Sequence, residues 1–517
     1  MKIIIPMSGQ GKRFNNAGYK TIKPLIMIGQ KPMIEHVVNL FPGENDFVFI
    51  CNENHLKKTG LKKTLKKIAP KSKIIGIKKH KFGPVFAVLQ AISHIKDEEE
   101  VIVNYCDFST HWNYKDFKNK VQKSKCDGAI TSYTGFHPHL LWPNKYAGMK
   151  VNNKNQVIKI KEKYSFTKNL MNSFHSAGTY YFKKGKYVKK YFKELIEKKM
   201  RVNNEYYVSS VYELMLKDKK KILNYELEFF LQFGTPQDLE EYKYWHNYFQ
   251  NENKNQKQKS FERKTTVLVP IAGLGKRFLN EGWKTPKPLI DVSGTPMFMQ
   301  SIMSLPKANE YVFVCLKKHV QENKIDKKIL EYLPHAKIVV SKAGTQGQAE
   351  TCILAEKIID PNSELVITAC DSKMLLEKKY YDKALQEKPE AIIWTFRNNP
   401  AIKRKPEAYA YVKEKNGIAK QVYCKKTISK NPVKDHAVTG TFYFKTAKTF
   451  FASAKKVVQK NLRINNEFYV DIVPNELINA KKKVLIFEVK DYVIFGTPAD
   501  LKTYNYWEKY FSKSDFK

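Results

Sequence analysis

The chain contains an internal repeat that spans almost its whole length. The segment IIIPMSGQGKRF at 3–14 returns as VLVPIAGLGKRF at 267–278, and YKYWHNYF at 242–249 returns as YNYWEKYF at 504–511. A repeat unit of about 250 residues lies within the size range of one α/β domain. The sequence therefore predicts two tandem domains, 1–249 and 265–517.

The segment between the two copies is polar. Residues 250–264 read QNENKNQKQKSFERK and are rich in Asn, Gln and Lys. Because the segment offers almost no apolar side chains to bury, we expect it to be a linker.

Each copy alternates strand-like and helix-like segments. In the first copy the pattern predicts strands at Lys2–Pro6, Asp46–Cys51, Lys73–Ile77 and Val101–Asn104, and helices at Pro32–Leu40, His55–Ile68 and Val85–Ile95. This order predicts an α/β fold, with a mostly parallel mixed sheet that carries helices on both faces. Ligands of such sheets bind beyond the carboxyl ends of the strands.

The formal net charge of +42 raises the question of a nucleic-acid partner. The lysines, however, are spread along the chain. Arginine, whose forked side chain suits nucleic acid, is scarce: its positions are Arg13, Arg201, Arg263, Arg277, Arg397, Arg404 and Arg463. We therefore expect an anionic small molecule as ligand and consider a nucleic-acid partner unlikely.

Cysteine usage and hydropathy indicate the compartment. The 7 cysteines include no Cys-x-x-Cys pair, so neither a zinc site nor a disulfide framework is expected. No apolar run approaches the ~20 residues of a membrane span, and the N-terminal apolar run is too short for a signal peptide. We expect a cytoplasmic protein without a membrane partner; the sequence does not specify its oligomeric state.

A glycine-rich turn follows the first predicted strand of each copy. It contains Gly9, Gly11 and Arg13 in the first copy, and Gly273, Gly275 and Arg277 in the second. Glycines let the backbone approach a phosphate and present N–H groups to it, and Arg adds a forked cation. A tight turn without a ligand is the alternative, but the following Arg recurs in a chain that is poor in Arg.

Two further pairs of charged residues recur. Lys23 and Lys287 each precede a proline that fixes the local backbone, and a solvated lysine is the alternative. Asp107 and Asp371 each end a buried strand-like run. A carboxylate there is placed to hold Mg²⁺ together with phosphates, or else to cap the next helix.

The later part of each copy carries a third group of candidates. Glu205 and Glu467 lie in NNEYYV and NNEFYV, and Asp471 stands where the first copy has Ser209, which predicts a second metal carboxylate in the second copy. Lys163 aligns with Lys425, and either lysine suits the phosphate of a second substrate. The neighbouring Glu162 is Cys424 in the second copy, so the two pockets are expected to differ.

These residues resemble those of the sugar-phosphate nucleotidyltransferase family in both copies. The resemblance implies two tandem Rossmann-like nucleotidyltransferase domains that condense a nucleoside triphosphate with a sugar phosphate, or a similar small phosphorylated metabolite, for surface polysaccharide synthesis. It implies Mg²⁺ as cofactor. By position, it assigns metal binding to Asp107, Asp371 and Asp471, sugar-phosphate contact to Lys163 and Lys425, and approach to the nucleotide base to the loops at Gly83 and Gly347.

The chain departs from the family pattern at several positions. Lys12 and Lys276 stand where the family often has Thr, Ile22 replaces a Pro, and Ser209 and Cys424 replace acidic residues. The first copy also has Gly135–His139, read as copy-specific substrate recognition or as loop structure. The alternatives are a glycosyltransferase, although the expected Asp-x-Asp is missing around Asp107, and a tandem in which one or both halves are non-catalytic.

Overall fold

A computed structural model describes residues 1–143, 145–255 and 262–513. The chain divides into two units, one made of Met1–Lys243 with the chain from Tyr510, the other of Tyr244–Lys509. This division differs from the predicted domains 1–249 and 265–517, because Tyr244 lies inside the helix Pro236–Asn255 and the helix from there on belongs to the second unit.

The predicted linker 250–264 has regular structure at both ends. Residues 250–255 continue the helix, where Asn251 donates a hydrogen bond to Asp491 at 2.8 Å, and the strand Glu262–Ile271 begins before residue 265. Gln, Glu and Lys are good helix formers, so a polar composition does not by itself end a helix. Residues 256–261 lie outside the described residues.

The first unit contains a nine-stranded mixed sheet. Its main path runs Val157–Lys161, Gly148–Val151, Phe174–Phe182, Val101–Asn104, Lys2–Met7, Asp46–Asn52 and Lys73–Ile77, with Gly128–Tyr133 and Ile222–Glu226 joined to Phe174–Phe182 off this path. The last four strands of the main path are parallel, which confirms the α/β fold class, and Phe174–Phe182 is antiparallel to its neighbours. Short strand pairs join Met27–Ile28 to Lys31–Pro32 and Phe108–Ser109 to Leu231–Gln232.

Helices connect these strands. They are Lys12–Asn16, Met33–Val38, Glu53–Lys58, Leu61–Ile68, Gly83–Leu89, Tyr114–Ser124, Gly185–Glu197, Val208–Lys217 and Pro236–Asn255. The predicted helix His55–Ile68 is two helices, because the chain leaves helical geometry at Thr59 and Gly60. The predicted helix Val85–Ile95 ends at Leu89, and a 3-10 turn follows at Ile92–His94.

Side-chain alternation shows that both faces of this sheet are covered. Ile4 and Val48 pack into one apolar cluster, whereas Ile3, Ile5 and Phe47 pack into another, and all are buried. Successive strand residues point to opposite faces. Helices therefore cover both faces, as the sequence predicted.

The second unit also has a nine-stranded sheet, and its first five strands correspond in order to the five from Lys73–Ile77 to Phe174–Phe182 of the first unit. It runs Lys337–Ser341, Lys307–Leu316, Glu262–Ile271, Glu364–Thr368, His436–Phe444, Ala391–Phe396, Val484–Glu488, Ile418–Cys424 and Ala410–Lys415. Short strand pairs join Asp291–Val292 to Thr295–Pro296 and Ser372–Leu375 to Asp491–Ile494. Its helices are Lys276–Leu279, Met297–Met303, Lys317–Asn323, Ile325–Tyr332, Gln348–Ile353, Lys378–Gln386, Ala401–Arg404, Ala447–Gln459, Val473–Asn479 and Pro498–Lys513. None of the helices described in either unit is long and apolar enough to cross a membrane.

Gly83 marks a close approach between two segments. Its φ is +85°, and a Cβ there would lie 2.8 Å from the carbonyl oxygen of Tyr206. Backbone hydrogen bonds join the same segments: Tyr206 N–H donates to Phe82 at 2.9 Å, and Val85 N–H donates to Tyr206 at 3.2 Å. Gly347 repeats the arrangement against Phe468. The glycine therefore fixes the loop against the segment that carries Glu205.

We predict that Gly83→Ala destabilises the chain more than Gly18→Ala. Gly18 has nearly the same φ, +84°, but no atom within 4 Å of an added Cβ. Gly18→Ala should cost about 1–2 kcal/mol of unfolding free energy from left-handed strain alone, and Gly83→Ala at least about 1 kcal/mol more, as in overpacked cores. Urea unfolding of the full-length chain measures both, and equal losses would contradict the close contact.

Candidate nucleotide site

A cavity of about 620 Å³ opens in the first unit where two neighbouring strands end. The strands Lys2–Met7 and Val101–Asn104 are parallel, so the segments that follow them meet at one edge of the sheet. The cavity is lined by both segments and by parts of four others, and its full lining is 6–14, 23–24, 80–81, 83–84, 105–107, 203–205, 207 and 234. The sequence-predicted residues Gly9, Gly11, Arg13, Lys23, Gly83 and Asp107 all lie among them.

The glycine-rich turn packs against the lysine that follows it. Gly11 has φ +63° and precedes the helix Lys12–Asn16; a Cβ there would lie 3.6 Å from the Cβ of Lys23. In the second unit Gly275 has φ +64°, and the corresponding distance to Lys287 is 3.1 Å. Because glycine has no side chain and adopts the left-handed conformation, the turn can pack closely against the lysine.

Arg13 and Arg277, which follow the glycine-rich turns, are exposed. Within the described residues, neither Arg13 nor Arg277 forms an ion pair or a hydrogen bond through its guanidinium group. Arg13 also lines the cavity. A guanidinium with no protein partner at a cavity is available to an anion such as a phosphate.

Each unit holds a lysine–aspartate ion pair at the centre of this region. Lys23 Nζ lies 2.5 Å from Asp107 Oδ2, and Lys287 contacts Asp371 in the same way. Burial lowers the pKa of Lys23, but the charges of Asp107 and Cys106 outweigh it, so the pKa lies above its usual value. Burial likewise raises the pKa of Asp371, and Lys287 reverses this, so the pKa lies below its usual value. Lys23 and Asp371 are therefore charged at neutral pH.

The chain at Phe233 and Gly234, which begins a Gly-Thr-Pro segment, packs against Asp107. Phe233 N–H donates to the carbonyl oxygen of Asp107 at 2.9 Å, and a Cβ on Gly234 would lie 3.0 Å from Asp107 Oδ2. Phe495 and Gly496 stand in the same relation to Asp371. The sequence shows this segment only as a repeated string, and sequence analysis assigned it no role at the site.

Lys163 reaches the cavity wall through a tyrosine. Its Nζ donates to the Tyr207 hydroxyl at 2.8 Å, and this hydroxyl donates to Glu205. Tyr207 and Glu205 line the cavity, whereas Lys163 itself does not. In the second unit Lys425 donates instead to the backbone carbonyl of Ala408 and lies 5.4 Å from the ring centre of Tyr469. The Nζ of each lysine therefore has a protein partner in this structure.

The departures from the family pattern at Ser209 and Cys424 fall on the two positions of one contact, which is formed by Glu162 and Ser209 in the first unit. Ser209 Oγ donates to Glu162 Oε2 at 2.5 Å, and Glu162 is only 9% exposed. The aligned residues of the second unit are Cys424 and Asp471. Each unit therefore keeps one carboxyl group in this pair of positions. In the first unit it is Glu162, which follows a strand, and in the second it is Asp471, which aligns with Ser209.

Burial dominates the titration of both carboxyl groups. It raises the pKa of Glu162 to about 7, even though Ser209 and Lys163 act in the opposite direction. It also raises the pKa of Asp471, against the charge of Lys425. A carboxyl group that exchanges its proton near neutral pH thus lies beside the predicted acceptor lysine of the first unit.

The predicted metal residues do not form a ready-made cage. Among the described residues there is no cluster of three or more His, Cys, Asp or Glu side chains suited to a metal ion. Asp107 nevertheless lines the cavity, and Mg²⁺ typically takes one or two carboxylates plus phosphate oxygens and water. This single carboxylate fits a magnesium ion that binds together with a nucleotide, whose phosphate oxygens would supply further ligands.

The copy-specific segment Gly135–His139 is packed inside the first unit. His137 and His139 are buried, and the His139 ring lies 2.9 Å from the Tyr133 hydroxyl and edge-on to Tyr146. Neither histidine lines the cavity. The contacts favour the loop-structure interpretation over direct substrate recognition.

We predict that Glu162→Gln stabilises the chain at pH 8 and has little effect at pH 5. Because the folded-state pKa of about 7 exceeds the unfolded value of 4.5, the folded chain binds more protons between these values. The unfolding free energy of the wild type therefore falls as the pH rises through this window. Gln keeps the acceptor for Ser209 and does not ionise, so the gain should be on the order of 2–3 kcal/mol at pH 8.

Urea unfolding of the full-length chain at the two pH values measures this difference. Ser209→Ala is the control: it removes the hydrogen bond that lowers the pKa of Glu162, so it should steepen the pH dependence. An effect of Glu162→Gln that is the same at pH 5 and pH 8 would show that Glu162 does not titrate in this range.

A family model and a curated protein are similar to the first half of the chain. The model of a family described as nucleotidyl transferase matches residues 2–246. Bifunctional protein GlmU of Buchnera aphidicola subsp. Baizongia pistaciae is 27% identical over 225 residues, which cover 43% of this chain and 46% of that protein. The match thus spans less than half the length of this relative.

Solved structures of similar proteins align with about half of the chain. A nucleoside-diphosphate-sugar pyrophosphorylase from Vibrio cholerae RC9 is 17% identical, with a TM-score of 0.38, over 46% of this chain and 98% of that chain. The inositol-1-phosphate CTP transferase from T. maritima is 17% identical, with a TM-score of 0.38, over 48% of this chain and 97% of that chain.

Proposed function

We propose that the chain condenses a nucleoside triphosphate with a sugar phosphate and releases pyrophosphate; the match of residues 2–246 to the nucleotidyl transferase model supports this proposal. The observation that carries the proposal is the cavity in which a glycine-rich turn, Arg13, Lys23 and Asp107 meet. Backbone N–H groups, two cations and one carboxylate are the groups that a magnesium-bound triphosphate needs.

The reaction needs positioning and charge neutralisation more than proton transfer. An acceptor phosphate oxygen attacks the α-phosphorus of the nucleotide, and the bond from that phosphorus to the bridging oxygen breaks. Pyrophosphate leaves with the electron pair of that bond. A phosphate monoester is already ionised near neutral pH, so no general base is required, and fixed charges that face the transition state supply the rate enhancement.

The residues of the first unit divide these tasks. Lys23 leaves Asp107 for the α-phosphate, Arg13 neutralises the departing pyrophosphate, and Gly9 and Gly11 bring backbone N–H groups to the phosphates. Lys163 holds the acceptor phosphate after it leaves Tyr207. Mg²⁺, held by Asp107 and the phosphate oxygens, would supply further neutralisation of charge on the triphosphate.

The second unit repeats the phosphate-binding residues. Gly273, Gly275, Arg277, Lys287 and Asp371 keep the spacing of their counterparts, and the contacts of Gly275 and Asp371 with Lys287 are the same. We therefore extend the activity to this unit, with Gly347 at its base-side loop, Lys425 as acceptor lysine and Asp371 and Asp471 as carboxylates. Two activated sugars made in the cytoplasm would then feed one surface polysaccharide.

One observation favours a non-catalytic second unit instead. In the first unit the amide of Gln232 lies beside Asp107, since a Cβ on Gly234 would lie 2.8 Å from Gln232 Nε2 and 3.0 Å from Asp107 Oδ2. The aligned neighbour of Asp371 is the aliphatic Ile494. An aliphatic side chain cannot form a hydrogen bond beside the aspartate, and we propose on this ground, as the second candidate, that the second unit binds nucleotide without turnover.

We predict that Arg13→Ala lowers pyrophosphate release by the first unit about 10²–10³-fold, the usual cost of removing one transition-state charge donor. The assay supplies the full-length chain with Mg²⁺, each nucleoside triphosphate in turn and a panel of sugar 1-phosphates. Arg277→Ala is the matched variant in the second unit. Full turnover in the Arg13→Ala, Arg277→Ala double variant would overturn the assignment.

Calorimetry with the same nucleotides separates the two candidates for the second unit. Two binding sites in the wild type, with one lost in Asp107→Asn and the other in Asp371→Asn, support nucleotide binding by both units. If Arg277→Ala leaves turnover unchanged while Asp371→Asn removes a binding site, the second unit is non-catalytic. A wild-type chain that binds no nucleotide contradicts the proposal altogether.

A further inference from the structure

A serine–histidine pair lies in the wall of the first-unit cavity. Ser8, at the end of the first strand, and His80, in the loop before the helix Gly83–Leu89, both line the cavity. Ser8 Oγ lies 2.9 Å from His80 Nε2. Sequence analysis assigned no role to either residue.

The surroundings of His80 fix its tautomer. Phe82 N–H donates to His80 Nδ1 at 3.2 Å, so Nδ1 is the acceptor nitrogen. Burial lowers the pKa of His80, against the charge of Glu205, and the ring is neutral at physiological pH. The hydrogen-bond network therefore assigns the ring proton to Nε2, which donates to Ser8 Oγ.

This assignment leaves the Ser8 hydroxyl proton without a protein acceptor. Within the described residues, Ser8 Oγ makes no hydrogen bond other than the one with His80. The imidazole is held in place by ring contacts with Phe82, at 6.5 Å between centres, and Phe86, at 4.9 Å. A donor that is oriented before the ligand arrives loses little entropy on binding.

The second unit lacks both members of the pair. At the aligned positions it has Ala272 and Gly344, and Gln346 replaces Phe82. The backbone N–H of Gln346 donates to Glu350 at 2.5 Å, so this wall is polar and is organised differently. The second unit therefore repeats the predicted phosphate-binding residues but not the Ser8–His80 pair.

We propose that Ser8 donates a hydrogen bond to a nucleobase in the first unit, with His80 as its positioning residue, and that the two units therefore prefer different bases. The inference rests on the proposed function. The acceptor that we assign is a ring nitrogen or a carbonyl oxygen of the base, since Arg13 and Lys23 already provide for the phosphates. A phosphate oxygen as the acceptor would instead make Ser8→Ala weaken the binding of all five nucleotides equally. The pair is a specificity determinant and takes no part in the chemical step.

The test measures base discrimination by the first unit in the full-length chain. An Asp371→Asn, Arg277→Ala background removes nucleotide binding by the second unit, and calorimetry gives Kd for the magnesium complexes of ATP, CTP, GTP, UTP and dTTP. Ser8→Ala should raise the Kd of the preferred nucleotide about 3–10-fold, the value of one hydrogen bond. The Kd values of the other nucleotides should change by less than about twofold.

Two further variants distinguish recognition from folding. Ser8→Thr keeps the donor and should restore the preference, and His80→Gly should lower it as Ser8→Ala does. The substituted residues Ala and Gly are those that the second unit carries at 272 and 344, so the local backbone accommodates them.

The outcomes separate this inference from the proposed function. If Ser8→Ala weakens all five nucleotides equally, or none of them, the inference is overturned and the proposed function stands. If the parent background binds none of the five, the proposed function fails and the inference fails with it.

Discussion

The lysine–aspartate ion pair at the carboxyl ends of the central strands holds the candidate site together in each unit. Lys23 is placed by Pro24 and by the close approach of Gly11, and Asp107 by the strand before it and by the hydrogen bond from Phe233. Four segments that are distant in sequence therefore meet at one contact. The side chains of the pair are 20% and 26% exposed, so removing one partner leaves a partly buried charge uncompensated, and the pair therefore stabilises the site.

The same pair is central to the proposed binding of a charged ligand. In the proposed reaction a nucleotide phosphate would replace Asp107 as the partner of Lys23, and a cation would replace Lys23 as the partner of Asp107. Each charge would then have a partner both before and after binding, which offsets its desolvation. The exposed Arg13 adds a further positive charge near this pair.

The two units share this centre and differ in the walls around it. The carboxyl group beside the acceptor lysine belongs to Glu162 in the first unit and to Asp471 in the second, and Ser8 with His80 becomes Ala272 with Gly344. Binding a triphosphate constrains the backbone turn and the charges, whereas the choice of base and acceptor depends on the surrounding side chains. This division favours two related reactions over two copies of one reaction.

The sequence predicted the parts of this site that depend on local patterns. Buried strand runs followed by glycine or aspartate located Gly9, Gly11 and Asp107, and the repeat located their counterparts. Contacts between distant segments could not be predicted: the Ser209 bond to Glu162, the hydrogen bond between Ser8 and His80, and the packing of Gly83 on Tyr206 leave no periodic signal. The predicted linker was too long, since helix propensity continues through polar residues to Asn255.

A crystal structure of the full-length chain with a magnesium nucleoside triphosphate tests the central claim most directly. The account predicts the triphosphate in the first-unit cavity, with Lys23 Nζ moved from Asp107 onto phosphate and the Asp107 carboxylate on the metal ion. A nucleotide bound elsewhere, or one bound in the cavity while the Lys23–Asp107 contact stays intact, would contradict the role assigned to this pair.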